Sequence, residues 1–193
     1  MSARRLGTVC WGVTGLVAAL TAALPATAGT CPASTTCSTT VTFTVTAPDG
    51  LTITVPSGPV NIGSGAPGGQ ISGQLGSITV SDQRATLAAT WTASVVAATG
   101  GFTTGGGTAP ETIPNTAVLY WSGAATGTTG SGTFVPGQAN AAAAQSLDLS
   151  RTAFSKTTGS GANSATWNPT VVINVPAGAV AGVYTGTVNH SVA

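Results

Sequence analysis

The chain holds one histidine, His190, and any serine–histidine–carboxylate site would have to be built on it. No nucleophile-elbow sequence accompanies it. His190 alternates with Val188 and Val192 along an apolar strand face, so a packed, hydrogen-bonded imidazole is the expectation rather than a general base. The cysteines and this histidine form no zinc-ligand spacing. A glycosidase pair would have to draw Asp82 together with Asp49, Glu111 or Asp148, and nothing in their settings recommends it. Asp82 and Arg84 read instead as partners that pair or cap a turn. The residue inventory therefore specifies no catalytic site, no metal and no cofactor. What remains is binding chemistry: tryptophans for stacking, and threonine, serine, asparagine and glutamine for hydrogen bonds to hydroxyl groups.

The elements that position these residues are strands. From Leu75 to Val96 the chain shows two alternating runs around the polar break Ser81-Asp82-Gln83-Arg84. Ile78 and Val80 share one face, and Leu87, Ala89, Trp91, Ala93 and Val95 share another. Period-two alternation marks strands buried on one side, so Trp91 is expected to be inside. Val41, Phe43 and Val45 alternate with threonines in Thr39–Thr46, which predicts a strand. Pro48-Asp49-Gly50 turns it into Leu51–Val55 as a hairpin. Ser57–Gly73 reads as a connection, and Gly123–Gly132 as a low-complexity, mobile stretch. Ile113–Trp121, Trp167–Val175 and Val183–Ala193 supply further strands. No helix-period segment of convincing length and no internal repeat is present. The fold expected is a single antiparallel β-sandwich, Ig-like, of about 8–10 strands. Trp121 and Trp167, beside polar turns, are the candidates for exposed contact.

Residues 1–28 read as a signal peptide: Arg4-Arg5, an apolar run closing at Leu24, and Ala26-Thr27-Ala28 before the cut. Residues 29–193 then form one domain of about 165 residues, ample for a sizeable core. The apolar run is too short for a membrane span and no second one follows. The mature cysteines are Cys31 and Cys37. Export to an oxidising space favours a disulfide between them, one that would add about 2–3 kcal/mol in the chain-entropy model. The mature charges are Arg84, Arg151 and Lys156 against Asp49, Asp82, Glu111 and Asp148. So thin an inventory excludes a nucleic-acid stripe and a polybasic membrane contact.

The run Thr79-Val80-Ser81-Asp82-Gln83-Arg84 with Trp91-Thr92-Ala93-Ser94, and the close from Val175 to Val192 (VPAGAVAGVYTGTVNHSV), resemble the two motif regions of WxL-type cell-wall-binding domains. Leu51–Pro56 and Trp167-Asn168-Pro169 are similar to intervening landmarks, especially those of actinobacterial versions. The motif positions are Trp91-Thr92-Ala93, with alanine in the leucine place, and His190-Ser191-Val192, with histidine in the tryptophan place. The resemblance implies a secreted protein of a Gram-positive bacterium, held non-covalently on peptidoglycan or an associated wall glycan. The residues alone also admit a structural or adhesive protein that contacts other surface proteins through strand edges.

Overall fold

The computed structural model describes residues 32–48 and 50–193. The expected signal peptide, Cys31 and Asp49 lie outside them. The chain forms two units, one ending at Thr44 and the other running Val45–Ala193. In the first, Thr35 donates through its hydroxyl to the Pro32 carbonyl (2.7 Å), and Cys37 is disulfide-bonded.

The second unit is all-β. Its strands are β1 (Leu51–Thr54), β2 (Gln70–Gln74), β3 (Ile78–Asp82), β4 (Trp91–Ala97), β5 (Phe102–Thr103), β6 (Thr112–Ile113) and β7 (Val118–Trp121). They continue with β8 (Ala125–Thr129), β9 (Phe134–Pro136), β10 (Gln145–Ser146), β11 (Arg151–Lys156), β12 (Asn163–Trp167), β13 (Thr170–Asn174) and β14 (Val188–Val192). Ten of these have four residues or more, and the others are brief pairings. Every pairing is antiparallel, in three four-stranded sheets ordered β1-β3-β12-β8, β10-β7-β13-β2 and β14-β4-β11-β9, with β5-β6 as a separate ribbon.

The first two sheets are joined by three chain segments that bend from one into the other: β2 into β3, β7 into β8, and β12 into β13. Bends at matched places make a corner, as in orthogonal sheet packing. Residue chemistry marks the corner. Gly76 (φ 97°) and Gly123 (φ 69°) take left-handed backbone that a side chain would resist. Pro169 cannot donate to a ladder, and Asn168 there accepts the Gly76 N–H at 3.1 Å. The third sheet packs across this bent sheet. Phe154 of β11 stacks on Trp167 of β12 at 4.9 Å between centroids, and one core runs from Ile78 and Val80 through Trp91, Val95 and Tyr120 to Val171.

Four expectations are corrected. Thr39–Thr46 forms no strand: Val41, Phe43 and Val45 are 78, 84 and 80 % exposed, and Leu51–Thr54 pairs with β3 instead of making the hairpin. Leu87 is 91 % exposed, because residues 83–90 lie outside the strands, with a turn at 87–88, and the strand begins only at Trp91. Ala125–Thr129 is a strand rather than a mobile tract. The edge of β12 supplies its backbone partners, and Thr129 and Ser164 hydroxyls meet at 2.8 Å. Trp167 is fully buried, not an exposed contact. Its strand turns Asn163, Ala165 and Trp167 inward together, and its indole N–H donates to the Tyr120 hydroxyl at 3.1 Å.

Candidate functional site

Antiparallel pairing of β4 with β14 brings the two motif segments side by side. Ala93 faces Val192, Ser94 faces Ser191 and Val95 faces His190. Beyond the strand end, Thr92 and Ala193 exchange both backbone bonds, at 2.9 and 3.1 Å. Alternation then sorts the triplets by face. Trp91 and Ala93 are buried, and His190 and Val192 are partly so. Thr92 and Ser191 point outward beside Ser94 and Asn189, and Thr152 and Ser155 of β11 continue that surface. The outer face thus carries short hydroxyls and an amide, with no charge among those six residues. Trp121 is half-buried at the corner.

Beneath the strand pair, a polar chain fixes the end of β4. Asp82, with a fully buried side chain, accepts from Arg84 Nε and a terminal nitrogen, both at 2.9 Å, and from the Arg84 backbone N–H at 3.0 Å. Asn163 donates to Asp82 at 3.3 Å and accepts the Trp91 indole N–H at 2.8 Å. The Arg84 hydrogen bond holds the Asp82 carboxyl below its ordinary value, against the opposing effect of burial. Lys156, also buried, donates to the Ala89 carbonyl at 2.8 Å, and its ammonium lies 5.9 Å from the Phe134 ring centre. Asn163, which joins Trp91 to Asp82, was not legible beforehand. It sits in a Gly/Ser-rich run where one amide looks like any other loop residue.

β14 borders a cleft of ≈ 940 Å³. Its rims are the stretches 55–65 and 180–188, and its floor includes Ile71, Phe102, Ile113, Val171 and Ile173. No protein-family model, characterised protein or solved structure matches this chain. His190 lines the cleft with its ring 5.8 Å from that of Tyr120; it is packed, but against the expected hydrogen-bonded imidazole its Nε2 is buried with no partner among the described residues. Among the described residues no group of three His, Cys, Asp or Glu could hold a metal ion. No helix there is long and apolar enough to cross a membrane.

Burial lowers the His190 pKa from 6.5 to about 4. The folded value lies below the unfolded one, so the unfolded chain binds the proton first as pH falls. This contribution to stability is complete above pH 6.5 and is lost progressively down to about pH 4. The loss amounts to about 3 kcal/mol at most. His190→Phe is expected to flatten this limb. Denaturant midpoints measured from pH 7 to 4 check it, and an unchanged slope in the variant would contradict the assignment.

Proposed function

We propose that this protein is a secreted, non-catalytic domain that associates non-covalently with the peptidoglycan cell wall, or a glycan attached to it, through the outer face of β4 and β14. The supporting observation is the register that sets Thr92, Ser94, Asn189 and Ser191 on one uncharged surface, with both motif triplets in adjacent strands. Hydroxyls and amides held on a rigid sheet suit sugar hydroxyls and stem-peptide amides, and a surface without charge needs no counterion. The buried members of the triplets, Trp91 and Ala93, would hold the strands in place rather than touch the ligand.

Sedimentation with purified peptidoglycan tests this. The mature chain is expected to pellet with the wall, with little change between 50 mM and 500 mM salt. Thr92→Arg with Ser191→Arg is expected to weaken binding at least tenfold while the melting temperature stays within a few degrees. Failure of the wild type to pellet, or undiminished pelleting of the double variant, would overturn the proposal. A structural or adhesive role through protein contacts is the second reading, favoured by the unpaired outer edge of β14.

A further inference from the structure

The cleft bordered by β14 is a second feature, apart from the outer face of the sheet. Its volume of ≈ 940 Å³ falls in the range of sites that enclose whole small molecules. No Asp, Glu, Lys or Arg is among its lining residues, and apolar side chains make its floor. Val171, Ile173 and Val175 line it as alternate residues along β13 and the step beyond, a reach of about 13 Å. The rims are apolar too: Val55, Val60, Val180 and Val183 all line the cleft and all stand exposed. Apolar surface left in water and gathered at the mouth of a cavity marks a binding groove.

One polar atom interrupts this lining. Nε2 of His190 is buried and has no hydrogen-bond partner among the described residues. The other polar side chains there are bonded or exposed. Asn61 accepts the Gly63 N–H at 2.9 Å, Tyr184 donates to the Val180 carbonyl at 2.8 Å, and Ser64, Thr185 and Thr187 are open to water. A buried nitrogen left unpaired is costly, and such a group calls for a partner. The imidazole is neutral at pH 7, because burial lowers its pKa to about 4. A neutral imidazole in an uncharged cleft offers a hydrogen bond to a hydroxyl and no counterion to a carboxylate or an ammonium. Residues 55–62 of one rim make no backbone–backbone hydrogen bond outside the β1 ladder among the described residues. So lightly tied a rim can part to let a hydroxyl reach the nitrogen.

We propose that the cleft binds one molecule of an uncharged single-chain lipid, its hydrocarbon chain laid over Ile71, Phe102, Val171 and Ile173 and its one hydroxyl hydrogen-bonded to His190. The length of the floor suits a chain rather than a compact ring, and the uncharged lining disfavours the carboxylate of a fatty acid. His190 and the outward residues Asn189 and Ser191 lie on opposite faces of β14. Lipid binding therefore needs no wall, and its test is separable from peptidoglycan sedimentation.

Isothermal titration of the mature chain with 1-octanol, 1-nonanol and 1-decanol, without wall material, is expected to show one saturable site per chain. Affinity is expected to rise about fourfold with each added methylene, the effect of taking one CH₂ out of water. Decanoate at pH 7 is expected to bind about tenfold more weakly than 1-decanol, or worse. Ile71→Trp fills the floor from a half-buried position and is expected to abolish binding. Should that variant fail to fold, Val60→Asp with Val183→Asp carries the test. Both side chains are exposed, so the melting temperature is expected to hold while 1-decanol binding falls about tenfold. His190→Phe is expected to weaken 1-decanol several-fold, the contribution of one hydrogen bond, with the increment per methylene intact. No saturable binding, as when a protein segment or a second copy fills the cleft, would overturn the proposal. Decanoate that binds as tightly as 1-decanol, or undiminished binding in the folded variants, would overturn it equally.

Discussion

Trp167→Ala is expected to lower the unfolding free energy by about 3–5 kcal/mol, the range for deleting a buried large aromatic. The side chain is fully buried where the bent sheet meets the third sheet. The substitution removes its stacking on Phe154 at 4.9 Å. It also strips the Tyr120 hydroxyl of its indole donor. Burial has already pushed the Tyr120 hydroxyl far up from 10, so the phenol stays protonated and its oxygen is left without that donor. For a domain of this size 1 kcal/mol moves the melting temperature by about 2–4 °C, so a fall on the order of 10 °C is expected. Trp121→Ala, at a half-buried position on β7, is the internal comparison and should cost far less. Thermal or denaturant unfolding of the two variants checks the difference, and equal losses would contradict the burial assignment.

Asp82→Ala is expected to cost about 3 kcal/mol, toward the low end for breaking a buried ion pair. The low end applies because the Arg84 side chain is 34 % exposed and keeps water within reach. What the substitution removes is one of the two acceptors of the Asn163 amide, which keeps the Gly161 carbonyl at 3.1 Å, and with it part of the support for the Trp91 indole. Adding Arg84→Ala should recover part of the loss, since the guanidinium no longer faces an empty site. A double-mutant cycle in urea measures that recovery. The acid limb gives a second check. The folded Asp82 pKa lies below its ordinary 3.8, so its contribution is present above that value and is lost as pH falls further. Histidine and aspartate therefore act in separate windows, His190 between 6.5 and about 4 and Asp82 below 3.8.

Alternation in the sequence identified the strands whose own residues decide their faces. Ile78 and Val80, Trp91, Ala93 and Val95, and His190 with Val192 all turn inward as their period requires. Composition set only an expectation about chemistry, through the small number of charged side chains from which a reaction could be built. The Asp82–Arg84 pair was legible as well, since two residues of separation across a turn leave their groups few other partners.

Tertiary structure decided whatever depends on a neighbour being there. Leu87 and Trp91 share a parity, yet the chain leaves the sheet before Trp91, and only the strand residue finds a cover. Trp167 borders a polar turn, but that turn is the corner where two sheets meet, so the indole is enclosed from both. Ala125–Thr129 has almost no apolar side chains and becomes a strand because β12 offers it an edge. Thr39–Thr46 is the converse, with strong alternation and its apolar side chains exposed. Periodicity reports which side chains of a segment point together. Whether that face is buried depends on backbone partners and opposing surfaces far away in the chain, and only the folded arrangement supplies those.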